Sequence, residues 1–124
     1  LCGGLDEGMT AIQLARLYGA RVSPHVWGTA VGLAAGIHYV AAVPTDPHGL
    51  QSPYPSLVEY DTSENPLRDD LLTEPIMPKD GRLPVPTGPG LGIELDEDAL
   101  ADKIGHDWAN PEEYDAFDGS VMDW

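Results

Sequence analysis

The sequence predicts an α/β fold in its first half, because helical and strand-like segments alternate there. Residues 5–18 carry apolar side chains at helical spacing, and residues 29–43 are apolar on nearly every side. Short strand-like runs lie between and after these two segments, at residues 20–23 and 57–61. Strands and helices in alternation are typical of a parallel sheet or a barrel.

Local signals predict where the two helices begin and end. Asp6 and Glu7 lie in the first turn of the first helix, where the helix dipole favours negative charge, and Gly19 follows its end. Small residues throughout the second helix predict close packing against its neighbours, and Pro44 ends it. His38 lies within this apolar helix, so we interpret it as a hydrogen-bonded residue of the core or of an interface.

The second half of the chain predicts irregular structure rather than further strand–helix units. A Lys79-Asp80-Gly81 turn separates short extended runs, and the many prolines suit edges and ribbons. Asp96 caps a short helix that reaches residue 104. The acidic segment 106–124 contains scattered aromatic residues, and we expect it to lie on a surface or on a partner.

The length of the chain limits how much of a barrel it can form. An eight-stranded barrel needs about 250 residues, whereas these 124 residues provide about two and a half strand–helix units. An open parallel edge would also leave backbone groups unpaired. We therefore expect the chain to be the C-terminal part of a larger protein.

The charge balance excludes some partners and indicates a cellular environment. The chain has 21 acidic and 6 basic residues and a net charge of −15. Binding to nucleic acid or to an anionic membrane requires clustered Lys and Arg, so neither partner is expected. Salt screens the self-repulsion of such a chain, which predicts a cytoplasmic protein in a high-salt cytosol; an acidic protein from an ordinary cytosol is the alternative. The single cysteine, Cys2, fits a reducing compartment.

Four stretches of the sequence, in this order, together resemble one family. They are CGGLDE, VSPHVWGTAVGLAA, LVEYDTSENPLRDDLLTEPI and DGRLPVPTGPGLGIELDEDAL, and they cover most of residues 2–100. The chain is similar to the C-terminal third of the enolase superfamily, in its mandelate racemase and muconate lactonizing enzyme branch. The resemblance implies the C-terminal part of a (β/α)7β barrel, with residues 20–23 as its seventh strand and residues 57–61 as its eighth.

The same resemblance implies three regions in the chain. Residues 1–63 would end the barrel with its sixth helix, seventh strand, seventh helix and eighth strand. Residues 64–105 would return to an α+β capping domain through short ribbons and a helix, and residues 106–124 would form the acidic C-terminal tail. Active sites of such barrels lie at the carboxyl ends of the strands.

Three side chains near those strand ends are candidates for the site. A histidine beside a strand is usually structural, but the resemblance implies that His25 is a general acid/base. Alternation along residues 57–61 places Glu59 and Asp61 on one face of the strand. The resemblance implies that Glu59, if protonated, binds the substrate carboxylate or enolate; the alternative is a solvated carboxylate, and Asp61 is a weaker candidate. Trp27 would line the substrate pocket, or would simply pack.

The reaction that the resemblance implies is removal of the α-proton of a carboxylate substrate, with Mg²⁺ stabilising the enolate. The metal ligands would lie on upstream strands outside this chain, so the 124 residues alone are expected to be inactive. We expect dehydration of a sugar acid first, an aldarolactone cycloisomerase second, and a racemase or epimerase third, in a homo-oligomer. A catalytically silent acidic interaction module is the alternative from another class.

Overall fold

The computed structural model describes residues 3–43, 56–104 and 117–118, and helices account for the regular structure in them. These helices are α1 (Leu5–Leu17), α2 (Ala30–Ala42), α3 (Pro66–Asp69) and α4 (Glu97–Ala101). The helices predicted at 5–18, at 29–43 and after Asp96 are confirmed, with ends one to three residues shorter than predicted. The single turn α3 was not predicted.

The ends of the two long helices follow from their terminal residues. Thr29 caps α2, because its hydroxyl accepts a hydrogen bond from the backbone N–H of Gly32 at 3.3 Å. At the end of α1 the chain turns away through Gly19, whose φ of 68° lies in the left-handed region that glycine adopts without strain. The N–H of Ala20 then closes the turn on the carbonyl of Ala15 at 2.9 Å.

Helix α2 is the centre of the hydrophobic core. One face of it is buried against the chain that follows residue 57, so nearly all the apolar contacts of the second half converge on this helix. The buried cluster consists of Ala30, Leu33, Ala34, Ile37, Leu71, Leu72 and Ile76.

Helix α1 packs on another side of α2 through a glycine contact. The Tyr39 hydroxyl donates a buried hydrogen bond to the carbonyl of Gly8 at 2.9 Å. A Cβ at Gly8 would lie 2.4 Å from the Tyr39 ring, so only glycine allows this approach. The close packing that the small residues predicted is therefore present between α1 and α2.

Residues 20–27 and 56–62 form neither a helix nor a strand ladder in the described part of the chain. The two segments contact each other through side chains, as where the Ser23 hydroxyl donates to the carbonyl of Leu57 at 2.9 Å. Val58 and Tyr60 face the core while Leu57 and Glu59 are exposed, as the predicted alternation requires. The assignment of these segments as the seventh and eighth barrel strands stays a prediction.

The second half is held by short antiparallel contacts rather than by a sheet. Leu72 and Leu95 form an antiparallel bridge. Lys79 and Arg82 form another, across a turn in which Asp80 (φ 52°) and Gly81 (φ 72°) both adopt positive φ. The predicted Lys-Asp-Gly turn is confirmed.

A side chain of α2 binds the glycine-rich turn near residue 90. His38 Nε2 lies 3.0 Å from the carbonyl oxygen of Leu91, in a half-buried position, so the predicted structural role of His38 is confirmed. The turn itself needs glycine, because a Cβ at Gly92 would lie 2.8 Å from the backbone nitrogen of Gly88.

Several predictions fall wholly or largely outside the described residues. They concern Cys2, Pro44 and most of the acidic tail 106–124. The boundaries at residues 63 and 105 also stay predictions. Within the described ranges, no helix is both long enough and apolar enough to span a bilayer.

Candidate active site

The structure brings His25 and Glu59 together, although 34 positions separate them in the sequence. His25 Nδ1 lies 2.6 Å from Glu59 Oε2. The side chains are 76% and 49% exposed, so a small molecule can reach both. His25 follows the extended segment that contains Ser23, and Glu59 lies in the middle of the neighbouring one.

Glu59 is held in its ionised form. The backbone N–H of Val26 donates to the same oxygen, Oε2, at 2.9 Å. This hydrogen bond, followed by the one from His25, holds the pKa of the Glu59 carboxyl below its ordinary value. The carboxyl is therefore a carboxylate at neutral pH, and the protonated form that the resemblance required for substrate binding is disfavoured.

An ionised Glu59 determines which nitrogen of His25 carries hydrogen. A carboxylate only accepts hydrogen bonds, so the short contact requires a hydrogen on Nδ1 of the imidazole. In the neutral ring the lone pair then lies on Nε2, and Nε2 makes no hydrogen bond to the described residues. The pair therefore presents a proton acceptor to the solvent side and fixes the orientation of the ring.

The loop that carries His25 is attached to the second segment at three points. Ser23 Oγ donates to the carbonyl of Leu57, the N–H of Val26 donates to Glu59, and the carbonyl of Gly28 accepts from Asn65. The three bonds span the loop from its beginning to the residue before the Thr29 cap. The position of His25 therefore depends on residues 57–65 as much as on its own segment.

Asp61 belongs to a structural cluster around Arg68. The Asp61 carboxylate accepts from the N–H and the hydroxyl of Ser63, both at 2.8 Å, and these bonds lower its pKa. Arg68 is buried, donates to the backbone carbonyls of Asp61 and Ser63, and lies over the ring of Tyr60. The Arg68 guanidinium also makes a bidentate contact with Asp69, at 2.7 Å to each carboxylate oxygen. This contact raises the pKa of Arg68 above its ordinary value. With its oxygens engaged in this way, Asp61 is better placed to hold the turn than to contact substrate.

A cleft of about 440 Å³ lies beside His25, between α1 and α2. Its walls include Pro24, Val26, Gly36 and Tyr39, and the start of α1 closes one end. Trp27 is 65% exposed and does not line this cleft, so its role as a pocket wall stays a prediction.

The described residues do not form a metal site. No group of three or more His, Cys, Asp or Glu side chains in ranges 3–43, 56–104 and 117–118 is arranged to hold a metal ion. The described carboxylates nearest to the candidate site, Glu59 and Asp61, are already engaged by hydrogen bonds. They do not fit a resident Mg²⁺, and the expectation that its ligands lie on other strands stays a prediction.

Sequence reasoning identified His25 and Glu59 but missed the residues that connect them. Asn65 and Arg68 were not singled out, and the helix that carries Arg68 was not predicted. The signal was present, because an asparagine directly before Pro66 is typical of an N-cap followed by proline in the first helical position.

Comparison with known proteins shows the family. Residues 1–99 match the profile of the family described as "Enolase C-terminal domain-like", which covers most of the chain. The chain belongs to this family, and its resemblance to the mandelate racemase and muconate lactonizing enzyme branch is confirmed.

Enzymes of known activity are among the similar proteins. The chain is 43% identical over 101 residues to a D-galactarolactone cycloisomerase of Agrobacterium fabrum, which covers 82% of this chain and 26% of that enzyme. It is 33% identical over 93 residues to an arabinonate dehydratase of Saccharolobus solfataricus, covering 75% of this chain and 22% of the relative. The crystal structure of a 3,6-anhydro-D-galactonate cycloisomerase from Zobellia galactanivorans matches with a TM-score of 0.65 and 35% identity, over 81% of this chain and 26% of that one. The chain thus spans about a quarter of the length of these proteins.

Proposed function

We propose that this chain supplies the general acid/base of an enzyme that removes the α-proton of a sugar acid or its lactone. The observation that carries the proposal is the short contact between His25 Nδ1 and Glu59, which leaves Nε2 as the proton acceptor. The names of the relatives, a galactarolactone cycloisomerase and an arabinonate dehydratase, support the substrate class.

The proposed reaction begins with proton transfer to His25. Nε2 takes the proton from the carbon next to the substrate carboxylate, and the electron pair of the broken C–H bond moves into the carboxylate to form an enolate. The ring becomes an imidazolium, and the negative charge of Glu59 stabilises it through the Nδ1 hydrogen bond. Glu59 in this role acts through His25 rather than on the substrate.

The second step breaks the bond between the β-carbon and its oxygen. The enolate electron pair forms the α,β double bond, and the oxygen leaves with its own bonding pair. In a dehydration the leaving group is the β-hydroxyl, which takes a proton and departs as water. In a lactone it is the ring oxygen, which departs as a carboxylate, so that the product is an isomer of the substrate.

The degree of identity favours lactone isomerisation over dehydration. The lactone cycloisomerase relative is 43% identical to the chain, against 33% for the arabinonate dehydratase. Sequence analysis had placed dehydration first. Mass spectrometry of the product separates the two, because only dehydration removes the mass of one water from the substrate.

His25→Asn tests the proposed proton transfer in the complete protein that carries this chain. The exchange is polar for polar at an exposed position, so the fold should be retained. Loss of a general acid/base typically lowers turnover by about 10²–10⁴-fold, and we expect a decrease of this size in turnover of the sugar acid or lactone.

The matched control is His38→Asn, the same substitution at the histidine that binds the Leu91 carbonyl. This variant should lower the melting temperature while the folded protein keeps its turnover. If His25→Asn turns over substrate within a few-fold of wild type, the histidine is structural and the proposed function is wrong.

A further inference from the structure

The side chain of Asn65 connects the candidate site to the helix that follows it. Its amide nitrogen Nδ2 donates to the carbonyl of Gly28 at 2.8 Å. Its amide oxygen accepts from the backbone N–H groups of Leu67 and Arg68, at 3.1 and 3.2 Å. The neighbours fix the orientation of the amide, because two donors require the oxygen and a carbonyl requires the NH₂ group.

The bond to Gly28 holds the far end of the His25 loop. Gly28 has a φ of 126°, which is available to glycine and strained for other residues, and it precedes the Thr29 cap of α2. On the other side of His25, the N–H of Val26 donates to Glu59. The carbonyl of Gly28, like the N–H of Val26, is therefore a backbone group through which the loop contacts the 59–65 segment directly.

The turn that carries Asn65, at the donor end of the bond to Gly28, is rigid. Asn65 is the N-cap of α3, and the next turn contains the buried Arg68. The Arg68 guanidinium binds Asp69 and the carbonyls of Asp61 and Ser63, so the turn after Glu59 has little freedom to move. A loop attached to this turn takes its position from it.

We propose that Asn65 is a positioning residue. Its Nδ2–H bond to Gly28 holds the His25 loop in the position, relative to Glu59, that proton transfer from substrate to His25 requires. This inference rests on the proposed function. Proton transfer is sensitive to position, since a misplacement of about 1 Å can cost about 10²-fold in rate. Asn65 does not line the cleft beside His25, so its effect on turnover would be transmitted through the loop.

Two substitutions separate this role from the capping role. Asn65→Ser and Asn65→Asp each keep an oxygen that can cap α3, because Ser, Asp and Asn are comparable N-caps. Both remove the NH₂ group that reaches Gly28, and Asn65→Ser does so without adding charge. The matched control is Asp96→Ser, because Asp96 caps α4 through a 3.0 Å bond from the N–H of Ala99 and is not bonded to the His25 loop.

In the complete protein we expect both Asn65 variants to lower kcat by about ten-fold or more. KM should stay within a few-fold, and the melting temperature should stay close to that of Asp96→Ser. Asp96→Ser itself should keep wild-type kcat. Turnover of the sugar acid or lactone over a range of substrate concentrations gives kcat and KM, and thermal unfolding gives the melting temperature.

The titration of Glu59 distinguishes a displaced loop from a merely weakened fold. The Val26 hydrogen bond lowers the pKa of Glu59, and the other charged groups that face this carboxylate in the described chain are His25 and Asp61. If the loop moves away, the pKa of Glu59 returns towards its ordinary value, and the titration of its side-chain carboxyl, followed by NMR, moves to higher pH. Asp96→Ser should leave this titration unchanged.

Two outcomes overturn the inference. One is an Asn65→Ser variant with wild-type kcat; the other is a kcat that falls only with the fraction of folded protein while the titration of Glu59 does not move. His25→Asn, assayed in parallel, shows which proposal failed. If His25→Asn is inactive and Asn65→Ser is normal, only the role of Asn65 is wrong; if His25→Asn is active, the proposed function is wrong.

Discussion

At the residue scale, one oxygen atom determines the chemistry of the candidate site. Glu59 Oε2 accepts hydrogen bonds from both the Val26 N–H and His25 Nδ1, and this keeps the carboxyl ionised. An ionised Glu59 cannot donate a hydrogen bond to a substrate carboxylate, but it can orient an imidazole and stabilise its charged form. The same side chain that the resemblance linked to substrate is therefore better suited to support His25.

Glu59→Gln tests whether this carboxylate contributes to stability through its charge. The pKa of Glu59 is lower in the folded protein than its ordinary value, so its contribution is complete above the unfolded pKa, about 4.3, and is lost as the pH falls through the folded value. We expect the melting temperature of wild type to exceed that of Glu59→Gln at pH 6, and the difference to shrink as the pH falls below the unfolded pKa and through the lower folded value.

Glu64→Gln is the control for this measurement, because Glu64 is an exposed glutamate in the same part of the chain. It removes the same charge without removing the contact to His25. A difference between wild type and Glu59→Gln that stays constant from pH 6 to pH 3 would contradict the ionised state of Glu59.

At the element scale, α2 positions the site by letting the His25 loop approach its backbone. A Cβ at Gly36 would lie 2.6 Å from Val26 Cγ2, and the N–H of the same valine donates to Glu59. One turn earlier, a Cβ at Gly32 would have nothing nearer than the Thr29 hydroxyl at 4.0 Å. A methyl group at position 36 would therefore collide with Val26, whereas a methyl group at position 32 would fit without a collision.

Gly36→Ala and Gly32→Ala form a matched pair that tests this contact. A methyl group at position 36 forces Val26 outward, and overpacking of this kind typically costs about 1–3 kcal/mol of unfolding free energy. At position 32 the same change should stabilise the protein by about 0.5–1 kcal/mol, because alanine is the better helix former. Chemical denaturation of both variants measures the two free energies; if they change by the same amount, α2 does not constrain the loop.

The turn α3 shows why short elements escape sequence analysis. Four residues are too few to show hydrophobic periodicity, and the position of Arg68 gives no sign that its side chain is buried. The available signal was the Asn65-Pro66 pair, which is typical of an N-cap followed by proline. Such a pair predicts where a helix begins, but it does not predict which groups the helix contacts.

At the scale of the whole molecule, charge is the dominant property. The net charge of −15 is spread along the chain. Arg68 pairs with Asp61 and Asp69, and Lys103 pairs with Asp70. Because the chain has 21 acidic and only 6 basic residues, most carboxylates have no basic side chain to offset their charge. The repulsion between these carboxylates weakens as salt shortens the screening length, from about 10 Å at 0.1 M to about 3 Å at 1 M.

We expect the complete protein to gain thermal stability as KCl rises from about 0.1 M to above 1 M. A melting temperature that is constant or falls over the KCl range would show that the acidic composition is not an adaptation to high salt.

The sequence by itself determined the two long helices, the end of the first of them at Gly19, the Lys-Asp-Gly turn, the structural role of His38 and the family. Each of these depends on residues close together in the chain, such as Gly19 or the helical spacing after Leu5, or on motifs whose order can be compared. Periodicity, capping and turn preferences are local effects, so they can be detected without knowing the rest of the structure.

Only the tertiary structure decided how the candidate site is assembled. The contact of His25 with Glu59 joins residues 34 positions apart, and the bond of Asn65 to Gly28 joins residues 37 apart. Alternation placed Glu59 on the exposed face but could not show which donors reach it, and those donors determine its ionisation. The pKa of a side chain depends on neighbours in space, and the sequence specifies these only through the packing of α2 against the segments on either side of it.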